Sequence, residues 1–227
     1  MNGYLLIDKP KGWTSFDIVA RIRAVLKRAG VNRPKVGHSG TLDPLATGLL
    51  VILVGTYTKR AAELTKLDKT YEVTMKLGQT SSTGDEEGQK TVLLSKRPSQ
   101  TAVEAAIKLF RGEIEQTPPI YSAVQIDGQR AYKLARAGKE VKIQPRKVKI
   151  HSIKLTDYNY PEIQFVTNVS SGTYIRSLVE DIGKKLHTGA YTSELCRTQI
   201  GLFKLNEAVK IESLASDHIY ATLKTLA

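Results

Sequence analysis

The chain has 227 residues, 41% hydrophobic and 25% charged, the balance of an ordinary globular protein with a core of its own, neither disordered nor fibrous. Lysine and arginine number 34 against 22 aspartates and glutamates, a formal charge of +12. That excess points to a polyanionic partner, because each cation set beside a phosphate releases a condensed counterion.

A single cysteine, Cys196, excludes a disulfide framework and a cysteine-based metal site. Its setting, Leu195-Cys196-Arg197, reads as a buried structural thiol, with a nucleophile as the alternative. The histidines (His38, His151, His187, His218) are scattered, with no pair at metal-ligand spacing. No apolar stretch approaches the length of a membrane span, and Tyr4-Leu5-Leu6-Ile7 reads as a strand rather than a leader. A cytoplasmic protein without membrane contact is therefore expected.

Strand-like runs occur at Tyr4–Asp8, Leu49–Gly55, Tyr71–Leu77, Val148–Asp157 and Ile163–Ser170, with a last one near Ile200–Leu205. Within Tyr71–Leu77 the odd positions are apolar or aromatic, so one face is predicted to be buried. Helical stripes lie between them. Phe16, Val19, Ile22 and Leu26 share a face, with Thr14 or Ser15 as N-cap and Gly30 near the stop. Ser99 can cap a helix over Thr101–Phe110, Ile175 to Leu186 form a third stripe, and Glu207–Ala215 is predicted as a short fourth helix. Strands cluster and helices come singly, which favours an α+β fold over strict βαβ alternation.

Two long segments fit no element. Arg33–Gly48 is rich in glycine, proline, threonine and aspartate. Gln116–Arg146 carries Pro118-Pro119, a short helical patch at Ala131–Ala137, and the cations Arg130, Lys133, Arg136, Lys139, Lys142 and Arg146. Tyr121 and Tyr132 among those cations suit RNA, whose phosphates meet charge and whose bases meet rings. A solvated surface excursion is the plainer alternative.

The chain lacks a Gly-x-x-x-x-Gly-Lys-Ser/Thr loop, a dinucleotide fingerprint and a Gly-x-Ser-x-Gly elbow, so phosphoryl and hydride transfer lose their usual signatures. Two other constellations remain. Gly37-His38-Ser39-Gly40-Thr41-Leu42-Asp43-Pro44-Leu45-Ala46-Thr47-Gly48 fixes one carboxylate in a glycine-bounded loop directly before an apolar strand. A loop on a rigid strand suits a reacting group, although an aspartate before proline also serves simply as a turn former. Ser170–Leu178 carries Tyr174 and Arg176 where a strand gives way to a helix, both off the apolar stripe. Either they face a site, or Arg176 pairs with a surface carboxylate.

These motifs resemble the TruB family of tRNA pseudouridine synthases over essentially the whole chain. The resemblance runs through Leu6-Ile7-Asp8-Lys9-Pro10-Lys11-Gly12-Trp13-Thr14-Ser15, the Asp43 loop, Lys69-Thr70-Tyr71-Glu72, Pro118-Pro119-Ile120-Tyr121-Ser122-Ala123, Gly172–Leu178 and Leu195-Cys196-Arg197-Thr198. It implies a pseudouridine synthase fold: a large, mixed, mostly antiparallel sheet flanked by helices, with a central basic cleft. It also implies one catalytic domain over 1–227, with Gln116–Arg146 as a thumb over the RNA. Asp43 matches the nucleophile, Tyr71 the tyrosine packed on the target base, and Arg176 the arginine paired with the aspartate. Tyr174 and Leu195 match residues that shape the base pocket, and His38 one that contacts the flipped-out RNA. Lys9 and Pro10 match a supporting motif. Thumb contacts are expected from Arg130, Lys133 and Arg136.

The implied substrate is the T-arm stem-loop of tRNA (position 55), which a monomer would modify with no cofactor, no metal and no protein partner. Bacterial members commonly carry a C-terminal PUA domain, and the chain is expected either to lack one or to fold a minimal form of it into its last residues. The Gly37–Asp43 wording is shared with guide-RNA-dependent relatives, which are longer.

Overall fold

The computed structural model describes residues 1–93, 97–122, 124–126, 128–139, 141–214 and 219–225, without the side chains of Arg136 and Tyr220. The first elements are β1 (Gly3–Lys9), α1 (Ser15–Arg28), β2 (Val36–His38), β3 (Thr47–Val54), α2 (Ala61–Thr65) and β4 (Lys69–Leu77). Then come β5 (Gln79–Ser81), β6 (Lys90–Val92), α3 (Gln100–Lys108), β7 (Gly112–Gln116), β8 (Gln125–Ile126), β9 (Gln129–Arg130) and α4 (Ala131–Arg136). The last are β10 (Arg146–Asn159), β11 (Glu162–Val169), α5 (Ile175–Lys185), β12 (Ala190–Ile200), β13 (Phe203–Lys204), β14 (Val209–Lys210) and α6 (Ile219–Thr222).

The chain folds into two compact units. One comprises residues 1–71 and 195–227, the other residues 72–194. In the first unit the strands run β14-β1-β3-β12, with β2 also paired to β3 and β13 to β12. β1 lies antiparallel to β3 from Gly3 opposite Val54 to Lys9 opposite Gly48, while β12 meets β3 in parallel at Cys196–Thr47 and Arg197–Gly48. β1 and β3 are apolar on both faces, as strands buried on both sides must be. On one face Tyr4, Leu6, Leu49, Val51, Leu53, Leu64 and Ile200 form a buried cluster, with the Tyr4 and Phe203 rings 5.2 Å apart.

Helix α1 starts where its sequence directs. The Thr14 hydroxyl accepts from the Asp17 amide at 3.1 Å and the Asp17 carboxylate accepts from the Thr14 amide at 2.8 Å. This reciprocal box satisfies two otherwise orphaned donors and contributes about 1 kcal/mol. Of the predicted stripe, Val19, Ile22 and Leu26 are buried, joined by Ile18 and Val25, whereas Phe16 is exposed.

In the second unit the strands run β4-β11-β10-β7. β10 pairs antiparallel with both β11 and β7, with register shifts after Ile150 and Leu155. Helix α3, capped by Ser99, lies against β10, and α5 buries Ile175, Leu178, Val179 and Ile182. Clustered, mostly antiparallel strands and single helices make the α+β class that the sequence pattern predicts.

Two expectations are corrected. The expected helix over Glu207–Ala215 is absent from its described residues, Ala215 lying outside them. Leu205–Glu207 and Ile211–Ser213 are 3-10 turns, and between them β14 sets Val209 beside Ile7 and Lys210 beside Asp8. The open edge of β1 overrides a weak helical periodicity. The strand expected near Ile200–Leu205 is the tail of an eleven-residue strand, β12, followed by the turn into β13.

Candidate active site

The Asp43 loop is fixed by backbone bonds and by two buried cations. The Ala46 amide donates to the Asp43 carbonyl at 3.1 Å, closing a β-turn with Pro44 in its second position. The turn is closed by the Asp43 backbone, and the Asp43 side chain is half-buried. Ser15, inside the first turn of α1, accepts from the Leu42 amide at 2.8 Å and donates to the Leu42 carbonyl at 3.2 Å. The Gly12 amide donates to the Pro44 carbonyl at 2.8 Å and the Ser39 amide to the Val51 carbonyl at 3.0 Å.

Lys9 is fully buried. Its ammonium donates to the carbonyls of Pro10 at 2.9 Å, Trp13 at 2.6 Å and Pro44 at 3.4 Å. Lys9 thereby ties the turn before α1 to the residue after Asp43. Burial lowers the Lys9 pKa to about 8, an effect that the Asp43 charge opposes. Arg197, on β12, holds the other end of the loop. Its Nε donates to the Leu49 carbonyl at 2.8 Å, Nη1 to Thr41 at 3.4 Å and Nη2 to Gly40 at 3.2 Å.

His38 ends β2 opposite Ile52. Burial, with the Arg197 charge second, holds its imidazole below the ordinary histidine range, so the ring is neutral at physiological pH. Tyr71 and Leu195 are each 8% exposed and stand on β4 and β12.

The second unit places Tyr174 and Arg176 at the start of α5. The Tyr174 amide donates to Gln116 Oε1 at 2.7 Å and Gln116 Nε2 returns a bond to the Tyr174 carbonyl at 3.0 Å. The Arg146 guanidinium lies 4.9 Å over the Tyr174 ring. Arg176 is 4% exposed; it meets the Asp85 carboxylate at 3.5 Å and donates to the carbonyls of Thr83 at 3.0 Å and Tyr121 at 2.8 Å. Asp85 is itself buried, so the alternative of a surface carboxylate for Arg176 is overturned. The Thr83 hydroxyl and the Glu87 amide also bond Asp85.

A cavity of about 510 Å³ lies beside Thr83 and Tyr121, with Ser177 and Glu180 from α5 on its wall. Burial raises the Glu180 carboxyl above the usual range. Within residues 116–146, β8 and β9 pair antiparallel ahead of α4, with Arg130 and Lys133 exposed; the Arg136 side chain lies outside the described residues. No group of three or more histidine, cysteine, aspartate or glutamate side chains is placed to hold a metal among the described residues.

Asp85, Gln116 and Arg197 escaped the sequence reading. Asp85 lies in a polar run of turn-forming residues, with nothing local to set it apart. Arg197 had a usable signal, because it stands two residues from Leu195 on one strand and so shares its buried face.

A model of the TruB family pseudouridylate synthase N-terminal domain matches residues 27–175, and one of the tRNA pseudouridylate synthase B C-terminal domain matches residues 176–225. The chain belongs to the TruB family. TruB relatives named tRNA pseudouridine synthase B include that of Pseudomonas fluorescens, 44% identical over 218 residues, 96% of this chain and 70% of its own. That of Thermobifida fusca is 42% identical over 95% of this chain and 75% of its own.

Among solved structures, a Cbf5-Nop10-Gar1 complex holds a chain with the same fold at TM-score 0.74 and 30% identity, covering 96% of this chain and 54% of that one. An H/ACA ribonucleoprotein bound to a substrate RNA containing 2′-deoxyuridine matches at TM-score 0.70 and 27% identity, covering 53% of its chain. The TruB chain described here thus spans about half the length of those solved chains.

Proposed function

We propose that this protein isomerises the T-arm uridine of tRNA (position 55) to pseudouridine, with Asp43 as the nucleophile. Family membership and relatives named tRNA pseudouridine synthase B make it an isomerase acting on tRNA uridine. The observation that carries the mechanistic reading is the Asp43 loop, a carboxylate on a backbone held at both ends by buried cations. Such preorganisation suits a group that must meet the reacting atom within a few tenths of an ångström.

The uridine must leave its stack before C1′ or C6 is open to attack, so the reaction begins with base flipping. Tyr71 and Leu195 would sandwich the uracil, their surfaces offsetting the stacking that is lost. Asp43 attacks C1′ as the C1′–N1 bond breaks and uracil leaves as its anion; the ring turns, and C5 attacks C1′ as the Asp43–C1′ bond breaks, freeing the carboxylate. The C5 proton then departs with help from Tyr71, and N1 ends protonated. Arg176, its own orientation set by Asp85, would be the arginine that pairs with the Asp43 carboxylate. His38 and Tyr174 would contact the displaced RNA. The reaction is an isomerisation, so it calls for neither a redox group nor a metal.

Residues 1–227 would act as one catalytic domain in the cytoplasm, with 116–146 as the RNA thumb. A guide-dependent catalytic subunit is the nearest alternative. Identity of 44% to tRNA pseudouridine synthase B against 30% to the Cbf5 chain supports the guide-free enzyme. The test is tritium release from C5-labelled tRNA transcript by the purified monomer alone. One equivalent per tRNA is expected, and none when the position-55 uridine is replaced by cytidine. Activity only after adding a guide RNA and partner proteins would reverse the assignment.

A further inference from the structure

Arg197 is buried to 1% exposure, yet among the described residues its hydrogen-bond partners are three backbone carbonyls and no carboxylate. A guanidinium taken out of water usually sits against an acid, because carbonyl dipoles alone replace its hydration poorly. Its three acceptors are not spread over the fold. Gly40 and Thr41 lie in the catalytic loop, two and three residues before Asp43, and Leu49 lies in the strand that follows the loop. Lys9 repeats the arrangement from the other side, donating to Pro44 immediately after Asp43. Five consecutive residues are therefore gripped at both ends by cations that spend their donors on the backbone. β12 reaches this position through its parallel pairing of Arg197 with Gly48.

We propose that Arg197 is a positioning residue for the isomerisation: its guanidinium, clamping the Gly40 and Thr41 carbonyls, sets the place of the Asp43 carboxylate. This rests on Asp43 being the nucleophile. The planar fork matters as well as the charge, because three donors in fixed directions reach two loop carbonyls and one strand carbonyl at once, which an ammonium on a flexible stem cannot reproduce.

The test compares wild type, Arg197→Lys, Arg197→Met and Asp43→Asn, using C5-tritiated tRNA transcript, with single-turnover rate, tRNA affinity and melting temperature measured for each. Arg197→Lys keeps the charge and loses the fork. Its rate should fall at least tenfold, with affinity within threefold of wild type. Arg197→Met should lose at least a hundredfold in rate, again with affinity within threefold. A purely structural role would lower the melting temperature while leaving the rate of the folded protein unchanged, and that result overturns the proposal. Should Arg197→Met fail to fold, Arg197→Lys decides alone, and a rate within threefold of wild type sinks the clamp. An active Asp43→Asn would instead remove the nucleophile reading itself, whatever Arg197 does.

Discussion

Lys9 shows how much a single buried charge can be asked to do. Its ammonium has no solvent exposure, and its three carbonyl acceptors belong to the turn that leads into α1 and to the residue after Asp43. With a folded pKa of about 8 against an ordinary lysine value near 10.5, the protonated form is strained in the native state but not in the unfolded chain. Below pH 8 both states hold the proton and the full cost of burying it is present. Between pH 8 and 10.5 the native state releases the proton first, so that cost fades and stability attributable to this group rises with pH. Wild type should therefore gain on Lys9→Met by about 1–2 kcal/mol between pH 7.5 and 9.5. Urea unfolding of both proteins at the two pH values measures it. A difference that stays constant across that range would mean the ammonium is better solvated than its surroundings indicate.

At the scale of elements, the close approach of β3 and β12 depends on Gly48. Its φ is +94°, and a Cβ there would stand 2.5 Å from the Arg197 carbonyl oxygen and 2.9 Å from the Cys196 sulfur. Gly48→Ala should cost about 3 kcal/mol or more, combining left-handed strain with a backbone clash. Gly30→Ala has a similar φ of +84° but meets nothing within 4 Å. It should cost about 1 kcal/mol, strain alone. Thermal unfolding of the two variants separates the contributions, and equal losses would show that the strand contact is not the source.

The proposed role of residues 116–146 as an RNA thumb makes a charge prediction. Replacing Arg130, Lys133 and Arg136 with alanine should weaken RNA binding and make its salt dependence shallower by up to about three counterions. An unchanged slope would place the RNA elsewhere.

Local signals located α1, α3, α5 and the long apolar strands, because each carries its own cap or periodicity. Thr14 and Ser99 both cap as their sequences direct. The elements that were missed take their form from partners. Much of β12 reads as polar, since its inward positions include Thr192 and Arg197. β14 exists only because β1 offers it an edge. Asp43 and Arg176 stood out through glycine spacing and helix position, whereas Asp85 and Arg197 gain meaning only once the chain has brought distant residues to them.

For the whole molecule, a formal charge of +12 provides the electrostatic pull toward RNA, and it is the same for every sequence of RNA. Specific turnover must come from the site. The TruB family model, the relatives named tRNA pseudouridine synthase B and the fold shared with the Cbf5 chain agree on the reaction class. In the proposed mechanism, the cations of the Asp43 loop would place one carboxylate for it. No described helix is long and apolar enough to cross a membrane.

The most direct test is single-turnover tritium release by Asp43→Asn on C5-labelled tRNA, with its tRNA affinity measured in parallel. Removing one carboxylate leaves the phosphate contacts in place, so affinity should stay within about tenfold of wild type while tritium release falls to background. Release above background by the pure variant, with tRNA bound as before, would contradict the account at its centre.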